Sequence, residues 1–167
     1  AFKDAIALRN EMCANNATYF NPRQFSNPDN IECHKMSTGI EIIRQCPDVT
    51  AFIAGSGTGG TLMGVNEMLS IARKDTKIIQ VQPEESNALH GIQGINDGDD
   101  FLLDKSIVDE TIFIKTKEAI ARAKRLAKEN GLLVGISAGA NVLAAEQWVE
   151  ENNPEHPVVT ILCDRGE

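Results

Sequence analysis

The sequence predicts an α/β fold, with a mostly parallel, twisted sheet that is covered by helices on both faces. Short apolar runs alternate with helical patterns along the 167 residues, and this alternation is typical of a parallel sheet. The runs are apolar throughout, which indicates strands buried on both faces. Ligands of such sheets bind beyond the carboxyl ends of the strands. We therefore expect the loops that follow the strands to converge on one cleft, and these are residues 55–60, 83–100, 135–139 and 163–166.

The helices are predicted from apolar spacing and from their start and stop signals. Thr38-Gly39-Ile40-Glu41 matches a capping box, so a helix is expected to begin near Gly39 and to end before Pro47. Asn130-Gly131 is a stop signal for the strongly amphipathic segment before it. The predicted helices span residues 2–12, 39–45, 61–73, 117–129 and 138–151.

The strands are predicted from short apolar runs that are bounded by turn residues. Pro83 ends the second run, and a long polar loop rich in Gly, Asn and Asp follows it over residues 84–104. Loops of that length in compact domains are usually functional or disordered. The predicted strands span residues 51–54, 77–82, 111–115, 132–134 and 158–162.

The composition and net charge of the chain argue against some classes of function. The chain is 42% hydrophobic and 24% charged, as globular domains are, and it has a net charge of −8. That charge argues against nucleic acid as a partner, because a polyanion needs a basic surface. No apolar run approaches the ~20 residues of a membrane span, and no secretory signal is visible.

The cysteines indicate a reduced, cytoplasmic chain. They stand at positions 13, 33, 46 and 163 and form neither a Cys-x-x-Cys pair nor a zinc spacing. Cys33 and His34 are adjacent, but neighbouring residues rarely face one ion, so we predict no metal site. The chain opens at Ala1 on a running helical pattern and stops at Glu167 just after an apolar strand, and we expect a piece of a longer polypeptide.

The most informative segment is the glycine loop, residues 55–61, which reads Gly-Ser-Gly-Thr-Gly-Gly-Thr between a strand and a helix. Glycines let an anion reach the backbone N–H groups at the positive end of a helix, which predicts a phosphate site. Two alternatives stay open. Gly55-x-Gly57-x-x-Gly60 also matches the dinucleotide fingerprint of an NAD-dependent oxidoreductase, with Glu84 or Glu85 on the ribose. The glycines could instead only permit close packing of strand and helix.

Motifs in order along the whole chain resemble the pyridoxal-phosphate enzymes that include cysteine synthase (O-acetylserine sulfhydrylase) and cystathionine β-synthase. The ordered set is more specific than the glycine loop alone. The motifs are residues 24–28 (Gln-Phe-Ser-Asn-Pro), 38–39 with 41–42, 52–55, 57–61, 82–83 with 85–86, 92–95 (Ile-Gln-Gly-Ile), 131–140 (Gly-Leu-Leu-Val-Gly-Ile-Ser-Ala-Gly-Ala) and 160–167 (Thr-Ile-Leu-Cys-Asp-Arg-Gly-Glu).

The resemblance implies a tryptophan synthase β-like fold, the type II fold of pyridoxal-phosphate enzymes, present here in part. It implies that residues 1–25 end a smaller domain and that residues 26–167 form a large, incomplete cofactor domain. The implied cofactor is pyridoxal 5'-phosphate, and the implied reaction is β-replacement on an activated serine, O-acetylserine or O-phosphoserine, with sulfide to give L-cysteine. A small amino-acid substrate and a homodimer are also implied.

The family's phosphate loop matches the glycine loop of this chain, and Thr58 and Thr61 are the available hydroxyl donors. Ser137 resembles the partner of the pyridine nitrogen, although it could also cap the helix that follows it. On the substrate side, the resemblance assigns Gln24 and Gly94. The implied cofactor-binding residues are Gly57, Thr58, Gly59, Gly60, Thr61 and Ser137.

Two departures from the family pattern bear on function. The segment with the cofactor-linking lysine and the Thr-Ser-Gly-Asn type loop is missing, so we expect the chain alone to be inactive. Arg165 replaces a serine that many relatives carry, and its positive charge could serve an anionic substrate such as O-phosphoserine. Cystathionine β-synthase, 2,3-diaminopropionate-type synthase, serine or threonine dehydratase and a non-catalytic binding protein remain open.

Overall fold

A single sheet organises the chain in the computed structural model, which describes residues 2–72, 75–85, 91, 92, 95 and 101–167. Within these residues the sheet has four strands, in the order β3-β2-β1-β4, and every pairing is parallel. This confirms the predicted α/β class. The strands are β1 (Ala51–Gly55), β2 (Lys77–Pro83), β3 (Glu110–Ile114) and β4 (Val158–Thr160).

Helices account for most of the remaining described chain. A π-helical turn, Lys35–Gly39, joins two of them without a break, and a 3₁₀ turn, Lys105–Ile107, precedes β3. None of the described helices combines the length and the apolar character that a membrane crossing requires. The helices are α1 (Phe2–Asn15), α2 (Asp29–His34), α3 (Ile40–Gln45), α4 (Gly60–Ala72), α5 (Thr116–Asn130) and α6 (Ile136–Asn152).

The core lies on both faces of the sheet because successive strand residues point to opposite sides. Ala51 and Ile53 pack with residues of α5 and α6 on one face. Phe52 and Ala54 pack with residues of α3 and α4 on the other. All of these strand residues are buried, as the predicted two-sided burial requires. Because helices pack on both faces of the sheet, the ends of the strands are held in place. The loops begin at these ends.

The strand order creates a crevice beside β1. The chain runs from β1 to β2 on one side of it, and β4 pairs with its other side. The chain therefore adds β2 and β3 on one side of β1 and then crosses back to add β4 on the other, and such a switch point opens a crevice at the carboxyl ends of β1 and β4. The glycine loop follows β1, and residues 161–166 follow β4.

The capping-box prediction is wrong. Residues 29–45 are helical without interruption, and Gly39 has helical angles, φ −63° and ψ −43°, with no side-chain cap at that position. A capping box needs a non-helical residue at the cap, and Thr38 instead lies inside the π-helical turn. The true start signal is Pro28 followed by Asp29, since proline fits the start of a helix and an acidic residue suits its first turn.

The predicted strand at 132–134 is also wrong. Only an isolated antiparallel bridge forms there, between Val134 and Arg165. Gly131 ends α5 in the left-handed conformation, at φ 71°, and α6 begins at Ile136. The short connection between the two helices passes the chain segment after β4, and among the described residues no sheet strand pairs with it.

Two polar contacts hold α5 in place. The N–H and hydroxyl of Thr116 donate to the carboxylate of Glu85 at 2.9 to 3.1 Å, which caps the start of α5 from another part of the chain. Arg122 donates to both carboxylate oxygens of Glu146 in α6, at 2.8 and 2.5 Å. This forked pair joins α5 to α6 with fixed geometry. The carboxylate of Glu146 also raises the pKa of Arg122.

Candidate cofactor site

A cavity of about 230 Å³ lies in the crevice between the ends of β1 and β4. Gly57, Thr58 and Thr61 of the glycine loop line it on one side. Ile161 and Cys163, which follow β4, line it on the other. The structure thus brings two of the predicted loops together at the switch point, where the sheet architecture predicts a ligand.

Gly59 and Gly60 contribute to the loop through close packing. Gly59 has φ +89°, and a Cβ atom there would lie 2.5 Å from the backbone nitrogen of Leu103. A Cβ atom on Gly60 would overlap the side-chain amide of Asn30. These two glycines therefore permit close packing, but against Leu103 and against Asn30 of α2 rather than between β1 and α4. This packing is compatible with a phosphate role, because α4 begins at Gly60 and its first N–H groups lack helical partners.

The two hydroxyls of the loop are held from outside it. Asn30 Nδ2 and the Gly60 N–H donate to Thr58 Oγ1 at 3.1 and 3.2 Å. Thr61 Oγ1 lies 3.1 Å from His34 Nε2. Asn30 and His34 both lie in α2, which packs against α4. The hydroxyl positions are thus fixed before any ligand arrives.

Asn141 is the buried polar centre of the crevice, with 2% of its surface exposed. Its Oδ1 accepts the N–H of Gly55 at 2.8 Å, and its Nδ2 donates to the carbonyl of Ile161 at 3.0 Å. One side chain of α6 thereby connects the end of β1 to the segment after β4. A buried amide that satisfies two backbone groups fixes the width of the crevice.

Ser137 lines a second cavity of about 460 Å³, together with Gly135, Asp164 and Arg165. It is buried, with 3% exposure, and it lies one helical turn before Asn141 on α6. Cys163 lines the first cavity and the next residue, Asp164, lines the second. Ser137 is not among the residues that line the cavity of the glycine loop.

The capping explanation for Ser137 is wrong. The cap residue of α6 is Gly135, and no side chain caps the helix from that position. Asp164 supplies the acceptor instead, because its Oδ1 receives the N–H of Ala138 at 3.1 Å. A Cβ atom on Gly135 would overlap the Asp164 carboxylate, so glycine is what lets that carboxylate approach the helix end.

Gln24, the described residue of the two on the substrate side, lines neither of these cavities. Gln24 is exposed and lines a different cavity, with residues of α1. Its backbone carbonyl accepts a hydrogen bond from Asn30 Nδ2 at 2.9 Å, and the same nitrogen reaches Thr58. Gln24 is thus linked to the glycine loop through its main chain. Gly94 lies outside the described residues.

The thiol of Cys163 is in an unfavourable place to ionise. Burial, and secondly the charge of Asp164, raise its pKa to about 11. Its sulfur donates to Asp164 Oδ1 at 3.7 Å and lies 3.9 Å from Asn141 Nδ2. Cys163 is therefore a neutral thiol at neutral pH.

Both Cys163 and Cys33 are exposed, but because the raised pKa keeps Cys163 in the thiol form, we expect iodoacetamide at pH 8 to modify it at least ~10-fold more slowly than Cys33. With a pKa of about 11, roughly one Cys163 in a thousand is thiolate at that pH. Asp164→Asn keeps the acceptor for Ala138 and removes the charge, so it should accelerate the modification. Peptide mass spectrometry measures each site, and equal rates at the two cysteines would contradict the prediction.

The donor set of the crevice fits a phosphate ester. It combines two hydroxyls, Thr58 and Thr61, with backbone N–H groups at the start of a helix, whose dipole favours an anion. The dinucleotide alternative receives no support. Glu85 already accepts hydrogen bonds from Thr116, and Glu84 pairs with Lys115 at 3.7 Å, so both acids that it required are engaged at α5.

Sequence reasoning missed four polar residues that build this site: Asn30, His34, Asn141 and Asp164. The signals were weak. His34 and Thr38 are four residues apart, a spacing that brings side chains together on a helix, but His34 was considered only as a metal ligand. Among the described residues, no group of three or more His, Cys, Asp or Glu could hold a metal ion.

Comparison with known proteins gives one consistent result. The cysteine synthase of Staphylococcus aureus (strain N315) is 38% identical over 179 residues, which cover 100% of this chain and 57% of that protein. Cysteine synthase B of Campylobacter jejuni is 39% identical over 176 residues, covering 99% of this chain and 58% of that protein. The chain therefore spans a little over half the length of these relatives.

Comparison with solved structures leads to the same kind of protein as comparison of sequences. The cysteine synthase of Entamoeba histolytica superposes with a TM-score of 0.84 and 38% identity, over 96% of this chain and 50% of that one. A hydrogen sulfide-producing enzyme of Fusobacterium nucleatum superposes with a TM-score of 0.91 and 30% identity, over 99% and 59%. The fold is thus the type II fold of pyridoxal-phosphate enzymes. The family model described as pyridoxal-phosphate dependent enzyme matches residues 1–164, and the chain belongs to that family.

Proposed function

We propose that this chain is the cofactor-binding part of a cysteine synthase, which replaces the β-substituent of an activated serine by sulfide. The observation that carries the proposal is the phosphate-compatible donor set of the glycine loop at the switch point, in a chain whose relatives are cysteine synthases. Pyridoxal phosphate, when bound, supplies the electron-withdrawing ring on which a β-substituent of an amino acid can be exchanged.

In this proposal the glycine loop holds the phosphate. Thr58 and Thr61 donate their hydroxyl protons to it, and N–H groups of residues 57–61 surround it at the positive end of α4, except that of Gly60, which donates to Thr58 Oγ1. Gly57 leaves the approach to those amides free of side chains. Gly59 and Gly60 allow the loop to lie against Leu103 and Asn30, so that the donors are ordered before the ligand binds.

Ser137 is proposed to face the pyridine nitrogen. A hydroxyl is too weak an acid to keep that nitrogen protonated, whereas a carboxylate partner would do so. The weaker electron withdrawal favours replacement of a β-substituent over transamination. The neighbouring carboxylate of Asp164 is used otherwise, since it accepts the Ala138 N–H and thereby anchors the helix turn that carries Ser137.

The remaining assignments are proposals of the same kind. Gln24 and Gly94 are proposed to lie on the side of the substrate amino acid. Residues 1–25 are proposed to end a smaller domain, which is supported by the absence of any buried side chain among residues 4–15, all of them described.

A homodimer in the cytoplasm is proposed. The thiols of all four cysteines, which lie in the described part of the chain, are free, and this agrees with a reducing compartment.

The test of the proposal is binding of pyridoxal phosphate against pyridoxal, which lacks the phosphate. We expect Thr61→Val to raise the Kd for pyridoxal phosphate about 10-fold or more and to leave that for pyridoxal unchanged, because a hydrogen bond to a charged group is lost. Fluorescence titration measures both. Thr50→Val is the matched control, since Thr50 precedes β1 at the opposite end of the strand.

Activity is tested in the protein that contains this chain, with O-acetylserine or O-phosphoserine and sulfide. The expected product is cysteine. Cystathionine from added homocysteine, or a keto acid from dehydration, would assign another activity of the family. Equal affinity of the unmodified chain for pyridoxal phosphate and pyridoxal would contradict a phosphate site at the glycine loop.

A further inference from the structure

His34 stands between two threonine hydroxyls. Its Nδ1 lies 3.1 Å from Thr38 Oγ1, and its Nε2 lies 3.1 Å from Thr61 Oγ1. Thr61 is in the first turn of α4 and lines the cavity of the glycine loop. His34 does not line that cavity, so any effect that it has on a ligand there must pass through Thr61.

The local fold builds this contact. His34 is the last residue of α2, and the π-helical turn after it carries Thr38 back toward the imidazole. Such turns occur frequently at functional sites. On the other side, Gly64 lets α2 approach α4, because a Cβ atom at that position would lie 2.7 Å from His34 Cβ and would overlap the Ile31 carbonyl.

The direction of the proton in the His34–Thr61 contact decides what Thr61 can do. A hydroxyl has one proton to donate. If Thr61 donates it to Nε2, none is left for an anion in the cavity. If Nε2 carries the hydrogen and donates to Thr61 Oγ1, the hydroxyl proton remains available for the anion, and Nδ1 accepts from Thr38. Burial lowers the pKa of His34, so the neutral imidazole is present at neutral pH and its tautomer determines the outcome.

The hydroxyl of Thr58, the other one in the loop, also keeps its own proton when a neighbouring group donates to its oxygen. Asn30 Nδ2 lies 2.9 Å from the Gln24 carbonyl, which can only accept, so that atom is the amide nitrogen and not the oxygen. It therefore donates to Thr58 Oγ1 as well. Thr58 thus accepts a hydrogen bond from α2 and retains its own proton for the cavity. If His34 Nε2 is also a donor, Thr61 has the same arrangement as Thr58. Each hydroxyl oxygen then accepts a hydrogen bond from α2, and each hydroxyl proton is available to the cavity.

We propose that His34 is a positioning residue that donates from Nε2 to Thr61 Oγ1 and so keeps the Thr61 hydroxyl as a donor to the phosphate ester of the bound cofactor. This inference rests on the proposed phosphate site, and it adds the group that determines the orientation of one of its hydroxyls.

The first experiment compares three variants for binding of pyridoxal phosphate and of pyridoxal. The amide nitrogen of glutamine lies as many bonds from Cβ as His Nε2, so His34→Gln retains the donor, whereas His34→Asn is too short and His34→Leu has none. We expect the Kd for pyridoxal phosphate to rise about 10-fold in the Asn and Leu variants and less than ~3-fold in the Gln variant, with pyridoxal unaffected. An equal loss in all three, or an equal loss for pyridoxal, would overturn the inference.

A double-mutant cycle tests whether His34 acts through Thr61. The variant with both His34→Leu and Thr61→Val should bind pyridoxal phosphate as Thr61→Val alone does, and additive losses would overturn the inference. A direct readout needs no variant. The ¹⁵N resonances of His34 in the chain saturated with pyridoxal phosphate should be those of the Nε2–H tautomer, and an Nδ1–H tautomer would refute the assignment.

Failure of this inference differs from failure of the proposed function. If the unmodified chain binds pyridoxal phosphate no better than pyridoxal, both are wrong. If it prefers pyridoxal phosphate and the three His34 variants retain that preference, only the role of His34 is wrong.

Discussion

Replacement of Asn141 by leucine is expected to lower the free energy of unfolding by roughly 2–6 kcal/mol, because two partly buried backbone groups lose their partner and each such loss costs about 1–3 kcal/mol. The N–H of Gly55 and the carbonyl of Ile161 are those groups. Leucine has as many side-chain heavy atoms as asparagine and the same branching at Cγ, so the substitution leaves no cavity and the loss does not come from one. Urea denaturation followed by circular dichroism gives the difference.

The matched control is Asn152→Leu in the last turn of the same helix. Asn152 also donates from its side chain to a backbone carbonyl, that of Trp148, at 2.9 Å, but it is exposed. Its replacement should cost less than about 1 kcal/mol, since water replaces the lost partner. If Asn141→Leu is no more destabilising than this control, the crevice does not depend on the Asn141 amide.

The second large effect is expected from Gly59→Ala. Alanine at a positive φ costs roughly 1–2 kcal/mol, and at Gly59 its Cβ would in addition lie 2.5 Å from the Leu103 nitrogen and 2.9 Å from the Leu103 Cα. Backbone atoms cannot move aside as a flexible side chain can. We therefore expect a total loss of at least ~3 kcal/mol in urea denaturation, together with weaker binding of pyridoxal phosphate.

Gly131→Ala is the control that separates the cost of alanine at a positive φ from the cost of the contact with Leu103. Gly131 also has a positive φ, 71°, but no atom lies within 4 Å of the added Cβ. Its replacement should show the conformational cost alone, about 1–2 kcal/mol, and should leave binding of the cofactor unchanged. Equal destabilisation by the two alanines would mean that the contact with Leu103 does not constrain the glycine loop.

The sequence predicted β1, β2 and β3 and helices α4, α5 and α6 to within a few residues. Their signals are local: continuous apolar runs for strands buried on both faces, and helical spacing with a stop at Gly131 for α5. The two errors arose where a local pattern lacked its context. The Thr38–Glu41 pattern lies inside a longer helix, and residues 132–134 have no adjacent strand to pair with.

By itself, the sequence determined the α/β class and the ordered motifs of a pyridoxal-phosphate enzyme, and it predicted an anion site at the glycine loop, because each depends on local patterns along the chain. Only the tertiary structure decided which polar groups surround that loop. Asn141 reaches Gly55 across 86 residues, and His34 reaches Thr61 across 27. The physical reason is that buried positions can be recognised from the spacing of apolar residues in the sequence. A hydrogen bond between distant segments depends instead on how the helices and the sheet pack.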